Sequence, residues 1–470
     1  MGVMAAYTPT IGLEIHAELS TRTKMFFASA NDPHAVDPNT HICPVCMAFP
    51  GTLPVINKEA VRHVLRVGAA LKGRLADYSE FDRKNYFYPD IPKGYQISQY
   101  QYPLVAGGTL AGVAITRVHL EEDTARSQHL SDYSLIDFNR AGVPLMELVT
   151  EPVIHDAETA QHFAQEFQLL LRTLGASEAN MEKGEMRVEA NISVSKDSKK
   201  LGTKVEVKNL NSFRSVAGAI QFEVTRHIEV LERGERIVQE TRGWDENKES
   251  TFSQRLKESS HDYRYFPDPD LPKLRLSRIA EFSLQNIVES LPELPEERRK
   301  KYSKLGVKAA DAEVLISDPL YASFFSQETK GMNGEQILIA TNYLLSDVRG
   351  SGAGAVEMER IAGSFRMLVT LIADGSISSR AAKDILAQML KEGGDPNRIA
   401  DQGGLLQVHD SGTIQKIVRE VIAENQEVSQ EVKKGKVEAV KFLMGQGMKK
   451  SKGSANPQEL ERIIKEELGV

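Results

Sequence analysis

Ile11-Gly12-Leu13-Glu14-Ile15-His16-Ala17-Glu18-Leu19 is the stretch on which the reading of this chain turns. Apolar Ile11, Leu13, Ile15, Ala17 and Leu19 alternate with Gly12, Glu14, His16 and Glu18, the period of a strand with one buried and one wet face. A second alternation sets Val188, Ala190, Ile192 and Val194 against Arg187, Glu189, Asn191 and Ser193. It leads through a polar stretch, residues 195–202, into Lys204-Val205-Glu206-Val207-Lys208, so the two segments are expected to pair as a long-looped hairpin. Helices interleave. Asp156 is placed to cap one whose stripe is Ala160, Phe163, Ala164, Phe167, Leu170, Leu171 and Leu174, stopped by Gly175. Asn211 or Ser212 starts another, with Val216, Ile220, Val224, Ile228 and Leu231 inside. Strand runs separated by single helices, without regular βαβ repetition, predict an α+β fold on an antiparallel sheet.

The chain has 470 residues, enough for more than one core. Proline density rises at Pro267-Asp268-Pro269-Asp270-Leu271-Pro272 and again at Leu291-Pro292-Glu293-Leu294-Pro295, and the sequence beyond reads as helical. A glycine-rich break near Gln402-Gly403-Gly404 precedes a last helical unit. The expected domains are therefore residues 1–292, 293–405 and 406–470. With 58 basic against 65 acidic side chains the net charge is −7, which argues against a nucleic-acid-coating protein and against DNA as a partner, but leaves room for a local basic patch. Such a patch is present: Lys433, Lys434, Lys436, Lys441, Lys449, Lys450 and Lys452 face a single acid, Glu438, and an apolar stripe of Val437, Val440, Phe442 and Leu443 would turn them outward. Two cysteines exclude a disulfide scaffold, and no apolar run is long enough for a membrane span, so a cytoplasmic protein without membrane contact is expected.

Several residues carry chemistry. Glu14 and His16 leave the same strand face, their backbones about 7 Å apart, and together can share a divalent cation. Glu147 stands alone in the apolar run Val143-Pro144-Leu145-Met146-Glu147-Leu148-Val149, and a lone buried carboxylate is costly unless paired or metal-bound. His119-Leu120-Glu121-Glu122-Asp123 clusters three acids at a strand end, where strict alternation groups Glu121 and Asp123 with His119. Residues 81–95 pack tyrosines, phenylalanines, cations and prolines into a loop that can order rings and charges around an anion or a nucleotide. Cys43-Pro44-Val45-Cys46 has the spacing of half a zinc site, with no matching second pair. The sequence contains no Walker A, Rossmann or GxSxG pattern, so any use of ATP rests on a carboxylate–metal platform.

Taken together, Ile11-Gly12-Leu13-Glu14-Ile15-His16, residues 82–99, His119-Leu120-Glu121-Glu122-Asp123, Asp137-Phe138-Asn139-Arg140, residues 187–193 and 202–213, and Asp262-Tyr263-Arg264-Tyr265-Phe266-Pro267 resemble the B subunits of tRNA-dependent amidotransferases. The resemblance runs over essentially the whole chain. It implies a catalytic cradle related to the glutamine synthetase fold, then a helical domain and a tail that grips tRNA. In that family ATP and Mg²⁺ phosphorylate the side-chain carboxylate of Glu-tRNA(Gln) or Asp-tRNA(Asn). Ammonia made from glutamine by a partner amidase, the A chain of the complex, then displaces the phosphate, and a small third chain, C, completes a heterotrimer. By this resemblance Glu14, His16, Glu122 and Glu147 are the metal ligands, with Glu122 also acting in catalysis. Lys84, Tyr86 and Lys93 border the ammonia path and the kinase site. Arg187, Glu189, Lys204, Glu206 and Lys208 are placed to hold nucleotide phosphates. Many relatives carry a Cys-x-Cys pair where this chain has Phe27-Ala28-Ser29-Ala30, so zinc is not expected. Two other classes stay open on the residues alone: a free-standing ammonia-dependent ligase and a non-catalytic tRNA-binding scaffold.

Overall fold

The computed structural model describes residues 7–197, 199–256, 263–407, 411–433, 438–451 and 455–470. The chain divides into two compact units, residues 1–295 and 296–470. The first is mixed α and β. Its largest sheet is built around the strand Thr8–Glu18, which pairs antiparallel with Pro144–Thr150 on one side and Met186–Ser195 on the other. Val113–Glu122 continues the sheet beyond Pro144–Thr150. On the opposite flank Met186–Ser195 and Val205–Leu210 form the antiparallel pair expected from their alternation. Glu240–Asp245 then runs parallel to Val205–Leu210, and Ser250–Leu256 pairs antiparallel with it. The parallel pair departs from the all-antiparallel expectation. It arises because the helix Phe213–Glu232 carries the chain across the sheet between them, the crossover a parallel neighbour requires.

Leu13, Ile15, Val188, Ala190 and Ile192 share one hydrophobic core with Phe163, Phe167, Leu170, Val216 and Ile220, so both long helices cover one face of the sheet. Asp156 caps Ala157–Thr173 by accepting from the Thr159 N–H at 2.7 Å, and Gly175, at φ +62°, closes it. Ser212 caps Phe213–Glu232 by accepting from the Ser215 N–H at 3.0 Å. The stripe expected for this helix holds at Val216 and Ile220 but then gives way. Val224, Ile228 and Leu231 are only half-buried, and Glu223 and His227 are the buried positions instead. The reason lies on the neighbouring strands, where Arg242 reaches Glu223 at 3.1 Å and Thr251 donates to it, so that charge pairing replaces apolar contact.

A smaller sheet of Asp82–Asn85, Tyr95–Ser98 and Phe266–Pro267 stands beside the Val113–Glu122 strand, joined to it where the Ile97 N–H donates to Glu122 at 2.8 Å. The aromatic and cationic loop of residues 86–94 connects its first two strands. Asp262 lies outside the described residues.

The second unit is largely helical, with an isolated bridge between Ile377 and Leu406. Helices Ser411–Glu424, Gln426–Lys433, Ala439–Lys450 and Pro457–Leu468 share their own core, in which Ile414, Val418, Leu443, Leu460 and Ile464 are fully enclosed. Asn456 caps the last of them, accepting from the Gln458 N–H at 2.9 Å, with Pro457 in the first turn. Of the expected stripe, Val440 and Leu443 are buried while Phe442 is 48% exposed. Three residues bring a helix back to the same side, so Val440 and Leu443 coincide and Phe442 points about 100° away. Val437, Lys434, Lys436 and Lys452 lie outside the described residues. Lys433, Lys441 and Lys449 are exposed, and Lys450 is paired with Glu420 at 3.0 Å and with Glu424. No described helix is long and apolar enough to cross a membrane.

Candidate active site

The sheet face opposite the helices collects charge because strand register stacks acidic residues of separate segments. His16 faces Glu147 on one neighbouring strand and Arg187 on the other, Glu14 faces Glu189, and Glu147 in turn faces His119. Side chains directly opposite each other on paired strands lie within reach, so these pairings alone build a cluster. His16 Nε2 lies 3.2 Å from Glu147, 3.6 Å from Glu121 and 3.8 Å from Glu14. His119 Nε2 is 3.8 Å from Glu147. Three groupings bring ligand atoms within 4.8 Å of one another: Glu14, His16 and Glu147; His119, Glu121 and Glu147; and Glu14, Glu189 and Glu206. Glu147 belongs to two of them and Glu14 to two, so the groupings form one continuous donor row.

The electrostatics are those of crowded carboxylates in a partly dry site. Burial, with Glu147 and Glu189 adding repulsion, pushes the Glu14 carboxyl up to about 7. Burial likewise raises Glu121. For His16 burial is outweighed by the hydrogen bond to Glu147 and by the charges of Glu121, Glu147 and Glu189, which hold the imidazolium up to about 9. Glu147 itself is held far below the usual carboxylate range, since His119, His16 and Arg117 overcome its burial. Burial takes His119 down to about 4. A row of oxygen donors with two imidazoles, its carboxyls crowded and partly dry, suits a hard divalent cation.

Of the residues expected to act together, Glu14, His16 and Glu147 meet. Glu122 does not join them. It pairs with Lys93 at 2.6 Å, accepts from the Ile97 N–H, and points to the opposite side of its strand from Glu121. Alternation along Val113–Glu122 puts His119 and Glu121 on the cluster face, so that Glu121 rather than Glu122 stands among the clustered donors. Lys84 lies beside the cluster, 4.9 Å from the Tyr263 ring, and although burial opposes it the charges of Glu121 and Glu147 hold its ammonium in the charged form. Tyr86 packs edge-on to Tyr263 at 5.9 Å, and burial pushes its phenol well above the ordinary range.

The five residues assigned to phosphates divide. Glu189 and Glu206 belong to the donor row, and Lys208 bridges them at 2.7 and 3.7 Å. Arg187 turns toward the other end of the strands and meets Asp123 at 2.9 Å. Lys204 is exposed and precedes its strand. The resemblance passed over Glu121, and His119 as a cluster member and the Asp123–Arg187 pair were missed. Strand parity was the signal for Glu121 and His119; the pair depends on the register of strands far apart in sequence.

Cys43 and Cys46 sit on a turn where each backbone N–H faces the other's sulfur, at 2.8 Å from Cys43 N to Cys46 Sγ and 3.4 Å for the reverse. Cys46 is buried and Cys43 only half so.

Two family models match the chain, one described as the GatB/GatE catalytic domain over residues 9–280 and one as the GatB domain over residues 339–468. Among curated proteins, the chain is 45% identical to one from Thermus thermophilus, over 99% of this chain and 100% of that one. It is 43% identical to one from Thermomicrobium roseum, covering 98% and 99% of the two chains. It is 40% identical to one from Carboxydothermus hydrogenoformans, covering 99% of each. All three are named as the B subunit of an aspartyl/glutamyl-tRNA(Asn/Gln) amidotransferase.

Proposed function

Because the chain belongs to the family of amidotransferase B subunits, we propose that it is the ATP-dependent half of a tRNA amidation machine, a glutamine-dependent ligase, built on a glutamine-synthetase-like cradle. The single observation that carries this reading is the donor row on the sheet face, three overlapping groupings that share Glu14 and Glu147. A carboxylate does not react with ammonia at neutral pH, so amide formation needs a leaving group. The γ-phosphoryl of ATP moves to the side-chain carboxylate of the misacylated amino acid, giving an acyl phosphate and ADP. Ammonia then attacks the acyl carbon, and inorganic phosphate departs.

Divalent cations, Mg²⁺ by preference, fit the donors and would offset the charge that builds on the phosphoryl oxygens. Glu14, His16, Glu121 and Glu147 would hold one end of the row, with Glu189 and Glu206 joining Glu14 at the other. His16 can ligate only as neutral imidazole, so it must give up the proton that its carboxylate neighbours stabilise. Lys84 and Lys208 flank the row as fixed positive charges, and Arg187 is kept in place by Asp123. Lys93 and Glu122, with Tyr86 near them, would line the approach of ammonia to the acyl phosphate.

The ammonia comes, on this reading, from glutamine hydrolysed by a separate amidase chain, with a small third chain completing the heterotrimer. The test uses this chain alone and in the reconstituted complex. ATP hydrolysis should depend on Glu-tRNA(Gln) or Asp-tRNA(Asn), and assaying both identifies the substrate preferred. The chain alone should hydrolyse no glutamine, while added ammonium should replace glutamine in the complex. ATP hydrolysis indifferent to misacylated tRNA would contradict the reading in favour of a scaffold. Full amidation from dissolved ammonium by this chain without partners would favour a free-standing ligase.

The C-terminal helices, with their own core, are proposed to hold the tRNA through phosphate contacts, which give affinity with little sequence information. Truncation after Leu405 should leave the 1–295 unit folded and ATP-competent but weaken tRNA binding. The loss should shrink as salt rises, because each displaced lysine–phosphate contact carries a counterion-release term. Equal affinity of both forms at low salt would remove the tail from the account.

A further inference from the structure

At the edge of the donor row nearest the small sheet stands a group of aromatic rings that the phosphoryl chemistry does not use. Tyr100 and Tyr265 are stacked face to face, centroids 4.4 Å apart and planes 13° from parallel. Tyr265 is backed edge-on by Tyr263 at 6.1 Å, and Tyr263 by Tyr86. Tyr100 is nonetheless 63% exposed, so its outer ring face opens to solvent. The base of the pair is rigid. Phe266 opposite Arg83 belongs to the three-stranded sheet, and the Tyr100 N–H donates to Asp82 at 3.0 Å. The pair is also close to the chemistry: Ser98, two residues before Tyr100, donates to Glu121 at 3.3 Å, and Lys84 lies 4.9 Å from the Tyr263 ring.

A planar, solvent-facing ring on a rigid support suits a base, since every base has a π face and stacking needs no hydrogen-bond match. The sheet order bears on which base. Lys208 belongs to Val205–Leu210, which is separated from Val113–Glu122 by Met186–Ser195, Thr8–Glu18 and Pro144–Thr150. Four strand spacings put the two ends of this row roughly 19 Å apart. On the amidation reading the γ-phosphoryl lies at Glu14 and Glu147, and a nucleotide whose remaining phosphates pair with Lys208 runs away from the aromatic group. The carboxylate to be phosphorylated would then arrive from the opposite side, and in an aminoacyl-tRNA it hangs from the 3′-terminal adenosine.

We propose that the Tyr100–Tyr265 pair is the seat of the 3′-terminal adenine of the misacylated tRNA, stacked on the open face of Tyr100. The inference rests on the amidation reading above. It places substrate recognition in the catalytic unit itself: the amino acid reaches the cluster only when its own terminal base is seated.

The reconstituted complex tests this. Tyr100→Ala should raise the KM for Glu-tRNA(Gln) roughly tenfold or more, the loss of one base stack, with the KM values for ATP and glutamine unchanged. Tyr100→Phe keeps the ring and should behave as wild type. The trinucleotide CCA should inhibit the wild type competitively with tRNA more strongly than CC does, and this difference should vanish in Tyr100→Ala. A raised KM for ATP instead would seat the nucleotide's base on the pair and overturn the proposal, as would unchanged kinetics or loss of subunit assembly in Tyr100→Ala. A wild-type complex that fails to amidate with ATP would sink the amidation reading itself, which separates the two failures.

Discussion

Glu147→Gln should reduce tRNA-dependent ATP hydrolysis about a thousandfold or more, the loss expected when several kcal/mol of transition-state charge stabilisation are withdrawn. The side chain keeps its size but loses the charge that two of the three donor groupings share. Affinity for misacylated tRNA should change little, because the residue sits at the floor of the sheet face, 3.2 Å from His16 and 3.4 Å from Arg117. Glu121→Gln should follow the same pattern. Glu122→Gln should not: it breaks a pair with Lys93, so ATP use should persist while amide formation from ammonia falls. Steady-state phosphate release and filter binding of charged tRNA separate these outcomes. Near-normal amidation by Glu147→Gln would refute its place among the cation ligands.

Glu223→Ala should cost the 1–295 unit about 3 kcal/mol of stability without touching the chemistry, because it strands the partly buried guanidinium groups of Arg226 and Arg242. The Glu223 side chain is wholly buried and takes contacts from Arg226 at 2.7 Å, Arg242 at 3.1 Å and His227 at 3.2 Å. Burial alone would raise its pKa, yet the His227 ring 3.2 Å away and hydrogen bonds from Arg226 and Thr251 hold it down to about 2. A carboxyl depressed in the folded state contributes stability that is complete above its ordinary value of 4.5 and is lost as pH falls toward about 2. Thermal melts between about pH 5 and about pH 2.5 should therefore fall more steeply for wild type than for Glu223→Gln. Parallel slopes would show that Glu223 does not govern this acid sensitivity.

How much of this could be read from the chain is clearest at neighbouring residues. The period of Ile11 to Leu19 defines the central strand and puts Glu14 and His16 on one face, and the alternation from Arg187 to Val194 defines its partner. The same rule, applied without appeal to relatives, also selects Glu121 over Glu122, and the structure agrees with the rule. Glu147 is conspicuous because a carboxylate in an apolar run demands a partner. What no local pattern contains is register. That Glu147 lies opposite His16 rather than Glu14 or Glu18 depends on pairing across more than a hundred residues of chain, and so does the meeting of Arg187 with Asp123 on the register of separate strands. The helix after Ser212 departs from its expected stripe in its second half for a like reason. Hydrophobicity alone selects Val224 and Ile228, whereas Arg242, on a later strand, makes a buried Glu223 the better choice.

The central claim is that a side-chain carboxylate is phosphorylated before ammonia arrives, and one isotope experiment addresses it directly. Glu-tRNA(Gln) carrying ¹⁸O in both oxygens of its γ-carboxylate is turned over by the complex with ATP and glutamine. If an acyl phosphate forms on the cluster of Glu14, His16, Glu121 and Glu147, each amide made must leave one ¹⁸O in the inorganic phosphate released. Phosphate free of ¹⁸O, with Gln-tRNA(Gln) formed and ATP consumed, would contradict the account.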